Sequence, residues 1–114
     1  MLKDSLYAKY IKEREGLELY ETEFGYFTYK FVGEECFLAN ICVASEHRGQ
    51  GHSGELIDAL SELAKESGAK FISSNVDLRD PGASHTLLCA LGLGFKVIKA
   101  EYGILAIVKK IGEE

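Results

Sequence analysis

The feature that most constrains this chain is a glycine-rich turn set between two apolar runs. Arg48-Gly49-Gln50-Gly51-His52-Ser53-Gly54 follows the run Cys36 to Val43 and opens a segment of helical periodicity. In that segment Leu56, Ile57, Leu60, Leu63 and Ala64 have the i, i+1, i+4, i+7, i+8 spacing of a helix packed on a sheet. Glu55, Asp58, Glu62, Lys65 and Glu66 fall outside the stripe. Gly68 ends the pattern, and Lys70 to Val76 is a second apolar run of strand length. Strand, helix and strand in that order form a βαβ unit, which predicts two parallel strands. Only Asn40 interrupts the first run, so that strand is expected to be buried on both faces.

The flanks supply more sheet. Phe24 to Val32 is rich in aromatic and β-branched residues, which suit a pleated surface. Gly33-Glu34 offers a turn, and Leu17 to Glu21 is a further strand candidate. Ser5 to Glu15 predicts an amphipathic helix with Leu6, Tyr7, Tyr10 and Ile11 on one face, stopped by Gly16. After the βαβ unit, Asp80-Pro81-Gly82 is a turn by its chemistry. Ser84 to Leu91 predicts a short helix with Ser84 as its cap. Phe95 to Lys99 and Ile104 to Lys109 then predict a closing antiparallel hairpin around Glu101-Tyr102-Gly103. The expected class is α/β with a mixed sheet and flanking helices.

Composition excludes several roles. At 114 residues the expectation is one domain over 1–114. With 46% hydrophobic and 27% charged residues, the chain is not of the disordered class. The net charge of −5 argues against nucleic acid held on a broad basic surface. Cys36, Cys42 and Cys89 are odd in number and form no Cys-x-x-Cys, so they read as reduced core residues. His47 and His52 with Cys42 lack metal-ligand spacing, so no metal is expected. No apolar run approaches the roughly 18 residues that span a bilayer. Met1 to Ser5 lacks a signal-peptide core. The expectation is therefore a soluble, cytoplasmic protein with no membrane partner.

Glycines between a buried strand and a helix let a ligand approach the backbone, and the first helical N–H groups then face an anion. The turn is thus a phosphate-binding candidate. A mononucleotide P-loop fails, because Glu55 follows Gly54 where lysine is needed. Gly49, Gly51 and Gly54 match the Gly-x-Gly-x-x-Gly dinucleotide fingerprint literally, and Asp77 stands near the place of a ribose-binding acid. However, Ala44 to Arg48 separates the strand from the first glycine, and the fingerprint normally follows a domain's first strand.

A third reading is a resemblance. Val43-x-x-x-x-Arg48-Gly49-x-Gly51-x-Ser53-x-x-Leu56 resembles the acyl-CoA loop of the GNAT superfamily of N-acyltransferases. That family's core pattern is Arg/Gln-x-x-Gly-x-Gly/Ala, and Ser53 stands at its last position. Leu93-Gly94-Phe95 resembles the family's Leu-Gly-Phe after its last helix, so the likeness covers about Cys36 to Lys109. It implies a GNAT-like mixed, mostly antiparallel sheet with a central βαβ unit whose parallel strands splay apart. It also implies acetyl-CoA as acyl donor. Main-chain groups of Ile41, Cys42 and Val43 would meet the pantetheine arm. The amides of Arg48, Gly49, Gln50, Gly51, His52, Ser53 and Gly54 would cradle the pyrophosphate. A primary amine would attack the thioester directly, helped by orientation, main-chain stabilisation of the oxyanion and proton removal.

The catalytic positions match less well. Where many relatives carry a tyrosine acid, this chain has Ala90, and the adjacent Cys89 reads as a core residue. Where some carry a glutamate base, it has Phe37. Glu35, two residues earlier, shares a side of a regular strand with Phe37 and is the candidate base, acting through a water. Asn40 is read equally as a structural or a substrate contact, and Tyr102 is a minor catalytic candidate. His85 and Cys89 share a helical face. The functional alternative is a catalytically weak CoA-binding regulatory or scaffold module. The short region before the loop predicts an open cleft for a small amine, a protein lysine or an N-terminus. The acidic N-terminal half would favour a cation, although it also reads as an ordinary solvated surface. Tyrosines and phenylalanines before Leu38 suggest a homodimer surface.

Overall fold

The structure is a computed structural model and describes residues 6–111. Helix α1 (Leu6–Glu15) leads into strands β1 (Glu18–Glu21), β2 (Gly25–Val32) and β3 (Glu35–Val43). A short 3₁₀ turn (Ser45–His47) precedes helix α2 (His52–Glu66) and strand β4 (Phe71–Asp77). Helix α3 (Ala83–Gly92) and the hairpin β5 (Lys96–Glu101) and β6 (Ile104–Lys110) complete the order. Ser5, where the sequence starts the first helix, lies outside the described residues.

The six strands form one sheet in the order β1-β2-β3-β4-β6-β5. Only β3 and β4 run parallel, and α2 makes the crossover between them. This is the expected mixed, mostly antiparallel sheet around a βαβ unit. It also removes the dinucleotide reading, since one parallel pair inside an antiparallel sheet is not a doubly wound fold. The hairpin turn Tyr102-Gly103 has φ of 55° and 79°, the two left-handed positions of a two-residue connection.

The main core lies between α2 and one face of the sheet. Leu56, Ile57, Leu60 and Ala64 of α2 are buried against Phe27, Cys36, Leu38 and Ile72. Fully burying one such aliphatic side chain is worth about 1.5–3 kcal/mol. Leu63, expected in the stripe, is only partly buried. Ser61 is buried instead, its hydroxyl donating to the Ile57 carbonyl at 2.9 Å.

Two expectations are corrected. Strand β3 is not buried on both faces: Cys36 and Leu38 are buried, Asn40 is exposed, and its other residues are half-buried. A bulge explains the pattern. Thr28 pairs Asn40 but Tyr29 pairs Leu38, which leaves Ala39 as the extra residue. Core-side positions therefore run Cys36 and Leu38, then Ile41 and Val43, a change of phase that an all-apolar run conceals. The second correction concerns α1, which buries Ala8 and Ile11 with Leu17 and Leu19 on the opposite sheet face. Leu6, Tyr7 and Tyr10 of the expected face are exposed. Ala8 and Ile11, three apart, share the face that meets the sheet, and the larger Leu6, Tyr7 and Tyr10 lie off it. Among the described residues no helix is long and apolar enough to cross a membrane.

Candidate active site

The parallel pair forms a cleft. Its rungs are Glu35–Phe71, Cys36–Ile72 and Phe37–Ser73, and pairing ends there. Beyond this vertex β3 remains paired with β2, while β4 remains paired with β6 along its whole length. The two halves of the sheet therefore diverge toward the carboxyl ends of β3 and β4. Ser74 spans the first open position, its hydroxyl donating to the Leu38 carbonyl at 2.8 Å. A strand paired on one side only leaves main-chain groups open on the other. In β3 these belong to the segment holding Ile41, Cys42 and Val43.

At the open end the glycine turn crosses above β3. The Ala44 N–H donates to the Phe24 carbonyl at 2.8 Å, and Arg48 Nε donates to the Val43 carbonyl at 2.9 Å. The Val43 carbonyl is thus engaged through one of its lone pairs, and the Arg48 guanidinium ties the turn to the strand it leaves. Gly51 is the N-cap of α2 with φ of 85° and no side-chain cap, a conformation that disfavours a Cβ. A Cβ built there would meet nothing within 4 Å. The Arg48 and Glu55 N–H groups reach Ser45 and Gly51 carbonyls at 3.4 Å each. Between them, the N–H groups of Gly49 to Gly54 find no backbone acceptor among the described residues. Unpaired amides at a helix start, with open space before them, fit the pyrophosphate of a donor. Gly25 makes a contrast: its Cβ would lie 2.2 Å from the Cys42 carbonyl oxygen, so this glycine serves the packing of β2 on β3.

At the vertex a cavity of about 270 Å³ opens on the face away from α2. Glu35, Phe37, Phe71, Ser73 and Asn75 line it, with β5 and β6 residues behind. Glu35 is half-buried and accepts a hydrogen bond from the Ser73 hydroxyl, across the start of the parallel pair. It is the one ionisable side chain of this lining. Beside it, burial and then the neighbouring Glu35 charge push the Cys36 thiol up to about 11, so it stays protonated and inert. Asn40 Nδ2 donates to the buried Thr28 hydroxyl at 3.4 Å across the bulge, a structural contact on an exposed residue.

Other singled-out residues lie elsewhere. Tyr102 is 90% exposed at the hairpin tip, outside the cavity lining. Ala90 packs against the main core and carries no ionisable group. His85 Nε2 and Cys89 Sγ are 3.5 Å apart on α3, so the helical spacing does join them. Asp77, the ribose-acid candidate, is instead taken by Arg79 at 2.9 and 2.8 Å. Those hydrogen bonds hold its carboxyl down at about 2. His47 and His52 pack on Phe24. Sequence reasoning passed over Ser73 and Phe24, because each reaches the site only through strand pairing or ring packing with distant residues.

Comparison with known proteins bears on the family and the fold. The model of the acetyltransferase (GNAT) family matches residues 12–88. No curated protein matches by sequence. Among solved structures, the PaiA N-acetyltransferase of Thermoplasma acidophilum in complex with coenzyme A is similar, with a TM-score of 0.73 at 16% identity. The match covers 95% of this chain and 70% of that one. The ribosomal-protein-S18-alanine N-acetyltransferase of Escherichia coli gives 0.72 at 15% identity, covering 96% and 79%. A Bacillus subtilis acetyltransferase in complex with CoA gives 0.69 at 18% identity, covering 96% and 88%. At such identities these structures show a shared fold alone. The family match spans well over half the sequence, including β3, the glycine turn, α2 and β4. The chain belongs to the GNAT family of acetyltransferases.

Proposed function

We propose that the protein transfers an acetyl group from acetyl-CoA to the nitrogen of a primary amine. The observation that carries this reading is the cleft itself: unpaired amides at its open end and a carboxylate at its vertex. Acetyl-CoA supplies the activated acyl carbon. The amides of Gly49 to Gly54 bind its pyrophosphate, and Gly51 leaves them room to do so. The open edge of β3 holds the pantetheine arm as a neighbouring strand would. Main-chain N–H groups on the open edge of β3 would meet the developing oxyanion.

The acceptor reaches the vertex from the sheet face that α1 leaves uncovered. Glu35 attracts its ammonium and takes the proton it must lose before attack, through a water. Ser73 orients the carboxylate. Phe37 and Phe71 supply apolar walls for an aliphatic stem. As the N–C bond forms the C–S bond breaks, and CoA leaves as a thiolate. That thiolate takes up the second proton lost by the nitrogen through solvent, because Ala90 leaves α3 without a proton donor at that position. Catalysis rests mainly on orientation.

Calorimetric titration with acetyl-CoA, and with NAD in parallel, tests this reading. Acetyl-CoA is expected to bind and NAD not. Turnover is then sought with a panel of aliphatic amines and lysine peptides. Failure to bind acetyl-CoA would remove the donor assignment.

A further inference from the structure

The two left-handed glycines of the turn, Gly49 and Gly51, are flanked by His47 and His52, and both histidines meet one residue from a remote part of the chain. Phe24, in the connection between β1 and β2, stacks on His52 with ring centroids 3.8 Å apart and planes 10° apart. It meets His47 edge-on at 5.0 Å, and the two histidines meet edge-on at 5.9 Å. The His52 side chain is only 11% exposed, and its Nδ1 donates to the Glu55 carboxylate at 2.7 Å. Phe24 is itself fixed. Its N–H donates to the Thr22 hydroxyl at 3.0 Å, and its carbonyl accepts from Ala44 at 2.8 Å.

The turn between these rings needs holding. Gly49 and Gly51 both have positive φ, and the amides from Gly49 to Gly54 have no backbone acceptor among the described residues. A glycine segment loses much freedom when it is fixed. If binding had to fix it, affinity would fall by that amount. The Phe24–His52 stack holds the residue next to Gly51, and the His47 contact holds the residue before Arg48. The left-handed pair Gly49 and Gly51 is thereby held on both sides before any ligand arrives.

We propose that Phe24 is a positioning residue for the donor's pyrophosphate, acting through its stack on His52. The inference rests on the acetyl-CoA reading above and adds a specificity to it. Phe24 discriminates donors that carry the pyrophosphate from those that lack it.

The test compares acetyl-CoA with acetylpantetheine, which has the same thioester but no pyrophosphate. Affinities are measured by calorimetry and by NMR titration. In Phe24→Leu, the acetyl-CoA Kd is expected to rise about two- to tenfold, the range an aromatic pair supplies. The acetylpantetheine Kd should stay unchanged, and Phe24→Tyr should restore the parent value. His52→Leu should reproduce the loss, and the double variant should add little to either. Should Phe24→Leu not fold, His52→Leu and Phe24→Tyr carry the comparison. Equal weakening of both donors would mean a general structural role and overturn the proposal. So would an unchanged acetyl-CoA Kd in a folded variant. If the parent protein itself does not bind acetyl-CoA, the donor reading falls and this inference falls with it. If the parent binds and the variants match it, only this inference falls.

Discussion

The two ends of the cleft are built from different materials. At the open end the candidate site is backbone: amides of Gly49 to Gly54, with room left by the glycines and no backbone acceptor among the described residues. At the vertex it is side chains: Glu35 and Ser73 from the two strands of the parallel pair, with Phe37 and Phe71 around them. A backbone site demands particular conformations, so it constrains a short continuous stretch of sequence. A side-chain site demands only that separate strands meet in register. The contrast teaches where substitutions are expected to act. Changes at the open end should alter donor affinity, and changes at the vertex should alter the rate of the chemical step.

The sharpest test of the open end is Gly51→Asp. Aspartate tolerates the left-handed conformation better than most residues, so the variant should fold. Its carboxylate would stand where the pyrophosphate binds. Like charges about 4 Å apart at a protein surface repel by about 4 kcal/mol, so acetyl-CoA affinity should fall by roughly a thousandfold. Calorimetry on a folded sample reads it, and an unchanged Kd would remove the amide cradle.

The vertex test is Glu35→Gln, which keeps size and removes the base. The expected result is a kcat about a hundredfold lower, the lower end for general acid–base catalysis. Acetyl-CoA affinity should not change, because Glu35 lies at the opposite end of the cleft. A pH–rate profile identical to the parent's would rule Glu35 out as the base. Affinity loss with an unchanged rate would break the division between the two ends.

The smallest expected effect concerns Asp77, at the carboxyl end of β4. Hydrogen bonds from Arg79 lower its carboxyl from 3.8 to about 2. A carboxyl whose folded value is depressed stabilises the fold above its unfolded value. That contribution is lost as pH falls through the folded value. Here the window is about pH 4 to 2, and the pair is solvent-screened, so the effect on stability is slight. NMR titration of the side-chain carboxyl should give a midpoint near 2. A midpoint near 3.8 would show that the Arg79 contact does not persist in solution.

The sequence by itself determined the βαβ unit, the turn that opens α2, and the stripe from Leu56 to Ala64, because each is written in local spacing. It also determined the left-handed backbone at Gly49 and Gly51, since that conformation selects glycine. It placed Glu35 on the side of Phe37. Tertiary structure decided the rest. The bulge at Ala39 was hidden because every candidate residue near it but Asn40 is apolar, and a phase change needs polar residues to be visible. The docked face of α1 was decided by packing on Leu17 and Leu19, which took Ala8 and Ile11 rather than Tyr7 and Tyr10. Ser73 became a partner of Glu35 only when two strands far apart in sequence fell into register. Phe24 reached the glycine turn only through ring packing on His52. Local conformation is set by neighbours in the chain and can be read from them. Contacts between strands depend on register and twist, which belong to the whole sheet.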